Sequence, residues 1–399
     1  MKKRNNLLIF ILTVGVFGIL NTEMGMVGIL PFMAEKFQVS ISQAGLLVSL
    51  FALVVAISGP TMPLWFSGID RKKVMLLVLG IFTAGNIVTI FAPNFVIALL
   101  ARVIPAFFHP IYCSLAFSVA AASVKPEEAP EAVAKVFIGV SAGMVIGVPV
   151  SNFIAATVSL EMSMAFFALV TALALLATFF WVPSMPVETR PSYGEQVSVL
   201  KKSVTWISLI AVLLMNGAVF GVFSYLAKYL EMVTHFSWNT ISLVLFVYGM
   251  ANILGSMLAG RLLTKNANKT VAAFPFFLGA LYMILFLVGE FTMPTALLIF
   301  IWGVLGGVGA NINQYWVSTA APEAPDFANG LFLTSANLGV TLGATVCGYF
   351  ISEIGMEFVM LGGIFFAALS SVFIFIRLCR DKRCGKMVHE EASEKSLAY

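Results

Sequence analysis

The chain has 399 residues, of which 60% are hydrophobic and only 11% charged, against roughly 25% charged in a soluble domain. That leaves too little polar surface to cover the apolar side chains, so a soluble enzyme or binding module is excluded and a polytopic membrane protein is implied. The net charge of +4 does not mark a nucleic-acid binder, because the basic residues are scattered over short connections.

The N-terminus, Met1-Lys2-Lys3-Arg4 before a long apolar run, imitates a secretory signal. The run is too long and lacks a small-residue cleavage site, so it is read as a retained first span. Apolar windows near 7–34, 42–66, 74–92, 95–122, 132–158, 162–183, 204–230, 238–261, 271–290, 295–320, 328–350 and 356–377 predict twelve transmembrane helices. Their length and lack of alternation argue against barrel strands.

With both termini in the cytoplasm, Lys2, Lys3, Arg4, Arg71, Lys72, Lys73, Lys125, Lys135, Arg190, Lys201, Lys202, Arg261, Lys265, Lys269 and the tail from Arg377 fall on the cytoplasmic side. The outer loops hold only Lys36 and Lys228, which is a strong positive-inside bias.

The longest connection, 184–203, contains two prolines, a glycine and most of the mid-chain charges. It divides the chain into an N-terminal six-helix bundle (1–183), a cytoplasmic linker (184–203), a C-terminal six-helix bundle (204–377) and a cytoplasmic tail (378–399). The halves echo one another at an offset of about 190 to 197 residues: Arg71 matches Arg261, and Gly143-x-x-x-Gly147 matches Gly339-x-x-x-Gly343. Paired glycines serve close helix packing in any membrane protein. At a shared offset they favour a duplication, with the site expected between the halves near the midplane.

Glu23 stands in the middle of the first span. A carboxylate there costs roughly 2.5–3.5 kcal/mol on insertion scales, so it must face a partner or a water-filled path and is a functional candidate. It lies about 18 Å below an outer helix end near Glu35, and Arg102 about 10 Å below Phe95. Both thus lie in the outer half or near the middle, within a long side chain's reach if the two helices face each other. An arginine partner favours the charged carboxylate and burial the protonated one, the opposition a proton carrier needs; the alternative is a static ion pair.

These residues and their surroundings carry a resemblance. The segments Asn21-Thr-Glu-Met-Gly-Met-Val-Gly-Ile-Leu-Pro31, Leu100-Ala-Arg102-Val, Gly143-Met-Val-Ile-Gly-Val-Pro149 and Phe223-Ser-Tyr-Leu-Ala-Lys-Tyr-Leu230 resemble the twelve-helix drug:proton antiporter branch of the major facilitator superfamily, most nearly its bacterial sugar-efflux transporters. The resemblance implies an all-α fold of two pseudo-symmetric six-helix bundles, alternating access by rocking, and export driven by inward proton flow. It makes Glu23, Arg102 and His109 proton-coupling candidates. Asp70, Arg71, Lys72, Gly143, Gly147, Pro149, Arg261, Gly339 and Gly343 become gating and packing candidates.

The chain also departs from the family pattern. The loop after the second span usually reads Gly-x-x-x-Asp-Arg-x-Gly-Arg-Lys, whereas here Ser67 takes the aspartate's place and Asp70 that of the second glycine. The customary charge clamp thus lacks its acid, while Arg71 and Lys72 remain. Pro105-Ala106 stands where a glycine often follows the arginine of the fourth span, and Ser151 replaces a common glycine after Pro149.

His109 precedes Pro110 near the middle of the fourth span. It could relay a proton or bond a substrate hydroxyl, or it could satisfy a backbone carbonyl freed by Pro110. Substrate contacts are expected from midplane amides and aromatics: Asn311, Asn313, Gln314 and Trp316 in the tenth span, with Asn216, Tyr225, Asn252 and Asn337 on the other wall. Part of this set is expected to act as interhelical glue, worth about 0.6 kcal/mol per contact.

Cys113 and Cys347 lie within spans and Cys379 and Cys384 in the tail, a scatter that suggests reduced thiols. Three histidines without clustered carboxylates predict no metal, and the lack of a phosphate-binding loop argues against ATP-driven transport. The expected protein is therefore a non-enzymatic, proton-coupled exporter of a sugar, nucleoside or drug in the bacterial inner membrane. It should need no cofactor beyond the proton and work as a lipid-embedded monomer. A nutrient symporter or facilitator, and a non-transporting sensor, are the alternatives.

Overall fold

The computed structural model describes residues 2–39, 41–187 and 193–397; Arg190 lies outside the described residues. Ten helices are long and apolar enough to cross a membrane. One of these, Trp238–Val288, is two helices joined at Asn266, whose φ of −161° and ψ of 83° are non-helical. The shorter apolar helix Leu46–Ser58 adds a further pass, giving twelve. No strand occurs among the described residues.

We number them α1 (Lys2–Phe37), α2 (Leu46–Ser58), α3 (Arg71–Ile90), α4 (Phe95–Ala122), α5 (Ala129–Thr157), α6 (Leu160–Trp181), α7 (Ser203–Phe223), α8 (238–265), α9 (267–288), α10 (Thr292–Ser318), α11 (Pro325–Ile354) and α12 (Val359–Leu397). The second span is not the single helix expected over 42–66. Short helices Ile41–Ala44 and Met62–Phe66 flank α2, with breaks at Gly45 and around Gly59-Pro60, because glycine and proline weaken the helical ladder. The seventh span breaks at Ser224-Tyr225 and resumes as Leu226–Met232.

Twelve passes return both ends of the chain to one face, called here the terminal face. Small residues set the packing between neighbouring helices near mid-depth. Gly143 and Gly147 of α5 lie against Leu20 and Asn21 of α1; Gly339 and Gly343 of α11 lie against Leu213, Asn216 and Gly217 of α7. A Cβ on any of the four would come within 3.0 Å of the neighbouring helix, so glycine is what permits the approach. The two seams correspond at an offset of 196 residues (339 minus 143, 343 minus 147).

That offset corrects the pairing of Arg71 with Arg261, which are 190 apart. Arg71 opens α3, whereas Arg261 lies inside α8. The residues related by 196 are Asp70 and Asn266, and they act alike. Asp70 caps α3 by accepting from the Lys73 N–H at 3.1 Å, and Asn266 Oδ1 accepts from the Lys269 N–H at 3.2 Å. Charge was the wrong property to match; helix capping was the right one.

Candidate functional site

α1 descends from Phe37 to Glu23 in 14 residues and α4 from Phe95 to His109 in 14 residues, so both side chains lie about 21 Å below their helix ends. Glu23 Oε2 is 3.1 Å from His109 Nε2. Arg102, only about 10 Å down α4, is not the ion-pair partner that its long side chain suggested. Its Nη1 instead donates to the Thr22 carbonyl at 2.9 Å. The alternative role of His109, satisfying a carbonyl beside Pro110, is also corrected: Nε2 faces Glu23, and the buried Nδ1 makes no hydrogen bond.

Phe51 of α2 closes the group. The Arg102 guanidinium lies 5.1 Å from its ring centroid and the His109 ring meets it edge-on at 5.9 Å. The first is a cation–π contact in a dry environment, where such contacts are strongest. Behind Arg102, Asn86 Nδ2 donates to Thr22 Oγ1 at 3.1 Å and to Thr171 Oγ1 at 3.4 Å, tying α3 and α6 to α1. Sequence reasoning missed Phe51, Thr22, Asn86 and Thr171; a buried amide between threonines in apolar spans was the available signal. Arg102 Nε and Nη2 and both amide atoms of Asn21 are buried without a hydrogen bond, which is costly in a low-dielectric interior.

The amide candidates are placed differently from expectation. Gln314 and Trp316 stand in the last turn or so of α10, near the terminal face rather than at midplane. Gln314 Nε2 donates to Asn329 Oδ1 at 2.7 Å, and Asn329 Nδ2 donates to Ser118 Oγ of α4 at 3.1 Å. Trp316 stacks under the Arg377 guanidinium at 4.0 Å. Asn216, Asn311 and Asn337 each donate to a carbonyl four residues back in their own helix. Tyr225 donates to the Ala344 carbonyl at 3.0 Å, bracing α7 on α11. Asn252 accepts from Ser141 of α5 at 2.6 Å, and Asn313 is buried within α10. Gln314, Trp316, Tyr225 and Asn252 therefore tie helices together, whereas Asn216, Asn311 and Asn337 bond within their own helices; Asn311 and Gln314 also line a cleft of about 650 Å³ at the terminal face, between α4, α5, α8, α10 and α11.

Beside this cleft the chain halves meet. Ser114 Oγ of α4 donates to the Asp326 carbonyl at 2.5 Å, and Arg71 Nη2 lies 4.0 Å from Asp326 Oδ2. Gly59 and Gly330 approach backbone to backbone. Arg71 thus has an acid after all, supplied by α11. Asp70 is a cap rather than a gate residue: its Oδ2 accepts from Ser184 at 2.6 Å, while Lys72 donates to the Phe179 carbonyl at 2.9 Å. Burial opposes charge on Asp70, but the Ser184 hydroxyl and the backbone N–H of Lys73 outweigh it and hold the carboxyl below its ordinary 3.8.

A twelve-pass helical protein with a mid-depth acid–imidazole pair and a polar seam between its halves has the build of a secondary transporter. A profile of the Major Facilitator Superfamily matches residues 11–343, and the chain belongs to that superfamily of membrane transporters. Among similar proteins, "Inner membrane transport protein YdhP" of Escherichia coli K12 is 28% identical over 92% of this chain and 94% of its own. "Uncharacterized MFS-type transporter YtbD" of Bacillus subtilis is 30% identical (86% and 88%), and a "Probable sugar efflux transporter" of Helicobacter pylori J99 27% (89% and 91%). The major facilitator transporter FucP, solved in the outward conformation, superposes with a TM-score of 0.73 at 15% identity, over 92% of this chain and 97% of its own. That match shows the shared twelve-helix fold. Long apolar spans and inner-membrane relatives make this a multi-pass inner membrane protein.

Proposed function

We propose that this transporter exports a small organic solute, of the sugar or nucleoside kind, in exchange for protons. The observation that carries the reading is the Glu23–His109 pair at 3.1 Å at mid-depth, with His109 buried and the Glu23 side chain 14% exposed. A carboxylate there is expensive to insert unless it works, and its partner is the one side chain that ordinarily titrates near neutral pH. Kinship with probable sugar efflux transporters supports the solute class and direction.

In this reading the terminal face is cytoplasmic, as the distribution of Lys and Arg favours. The units 1–183 and 204–377 rock about the seam, with 184–203 as their tether and 378–399 as a cytoplasmic tail. One lipid-embedded chain suffices, and the proton is the only coupling species. With the seam closed at the terminal face, Glu23 takes a proton from outside and the solute leaves. Once the seam opens, the proton passes to the cytoplasm and a new solute enters. One proton crossing 100 mV supplies about 2.3 kcal/mol and one pH unit about 1.4 more, enough for a several-hundred-fold solute gradient.

The test is lumenal pH in liposomes holding the purified protein, while sugars, nucleosides and antibiotics are added in turn. Proton flux opposite to solute, abolished by Glu23→Gln in a protein that still folds, is the expected result. Solute movement without protons, or undiminished flux in Glu23→Gln, overturns the coupling.

A further inference from the structure

The cleft at the terminal face is more than a gap beside the seam. It encloses about 650 Å³, room for a solute the size of a monosaccharide or nucleoside. Its mouth is exposed at Glu127, Thr319 and Pro322, and its inner wall is formed by Asn311, Gln314 and Asn329. Two features make that wall unusual. Asn311 is 1% exposed and its Oδ1 accepts no hydrogen bond, although its Nδ2 is committed to the Gly307 carbonyl. The other two amides form the chain Gln314–Asn329–Ser118, whose last bond crosses between the halves of the protein.

We infer that this cleft is a docking site for an uncharged solute rich in hydroxyl or N–H donors, which binds here before it reaches the level of Glu23. A donor group satisfies the vacant Asn311 oxygen. Hydroxyls competing for Gln314 and Asn329 loosen the bond to Ser118, so occupancy of the cleft favours opening of the seam beside it. The wall selects against anions: each of its three amides already spends an N–H within the protein, the mouth carries Glu127, and Arg71, the cation on the rim, is already opposite Asp326. The inference takes its place in a transport cycle from the reading above, but the site itself does not depend on proton coupling.

The experiment separates the two. A reporter thiol, Ser318→Cys, is placed at the cleft in a Cys379→Ser, Cys384→Ser background, and its maleimide labelling rate is measured with D-glucose, uridine and glucose 6-phosphate as probes. Glucose or uridine should slow labelling at least threefold and glucose 6-phosphate should not. The protection should persist in Glu23→Gln and disappear in Asn311→Leu. Thr264→Trp, which fills the mouth from an exposed position, serves as a second variant that leaves the wall intact, with melting temperature as the folding control. Failure of both uncharged probes to protect, equal protection by the phosphate, or protection lost in Glu23→Gln but kept in Asn311→Leu overturns the inference. Loss of proton flux in the liposome assay alone leaves it standing.

Discussion

Glu23 and His109 meet at mid-depth, where His109 is buried and the Glu23 side chain stays 14% exposed. A hydrogen bond to a charged group contributes about 1.5–3 kcal/mol, so His109→Ala is expected to lower substrate-triggered proton flux at least tenfold. Solute binding should change far less, as isothermal titration against the wild-type solute would show. Unchanged flux would make the pair a structural contact. Asp70 presents the opposite case, a carboxylate in solvent whose work is capping. Its carboxyl is held below the ordinary value by Ser184 and the Lys73 N–H. The stabilisation is therefore full above the usual carboxylate range and fades as pH falls through the lowered value. Asp70→Ala should cost about 1 kcal/mol at neutral pH. Asp70→Asn, which still caps, should keep neutral stability and flatten the acid limb of melting temperature against pH. The sequence singled out Glu23 as a candidate, because a lone acid in an apolar run has few explanations. Its partner was also within reach of counting, since 14 residues separate each of Glu23 and His109 from the end of its helix away from the terminal face. Charge drew attention to Arg102 instead, and an arginine side chain is long enough to make the wrong depth look right. Phe51 carried no such mark: its role depends on where a broken helix places it.

Helix contacts here are governed by what is missing from the side chains. Lipid is as apolar as leucine, so α1 against α5 and α7 against α11 gain from close approach rather than from burial. Gly343 illustrates the requirement, since a Cβ there would stand 2.5 Å from the Gly217 carbonyl oxygen. Gly343→Leu is expected to cost about 1–3 kcal/mol through overpacking, read as a lower melting temperature in detergent. Gly80 is the internal comparison: nothing lies within 4 Å of its would-be Cβ. Gly80→Ala should hold or raise the melting temperature by the helix-propensity difference, about 1 kcal/mol at most. If the two substitutions behaved alike, close approach would not be what the α11 glycines provide. Both glycine pairs were legible as spaced motifs. The breaks in the second and seventh spans were not, because hydropathy windows report composition and are blind to where a backbone ladder is interrupted. Capping by Asp70 and Asn266 was hidden for a related reason: the two residues share chemistry but not charge.

At the scale of the whole molecule, the question is what keeps the two halves together at the terminal face. Polar contacts that join them there include Ser114 to the Asp326 carbonyl, Asn329 to Ser118, and Arg71 opposite Asp326. The last is long, and the Arg71 side chain is 26% exposed, so water weakens it. The shorter, buried Asn329–Ser118 bond should matter more, though it contributes only about 1 kcal/mol. A transporter must undo this closure in every cycle, and a few bonds of that size suit a balanced equilibrium better than one strong lock. Removing one of about 1 kcal/mol shifts a two-state ratio about fivefold. Spin labels at Lys125 and Lys265, on opposite halves and exposed, would read the distance across the terminal face. Asn329→Ala should enlarge the long-distance population about fivefold. Asp326→Ala should do so by less, because its carbonyl still receives Ser114. Since Asn329 and Asp326 are one turn apart on α11, the double variant should fall short of the product of the two. A distance distribution unchanged by either variant would mean that backbone packing at Gly59–Gly330, rather than these side chains, holds the face shut.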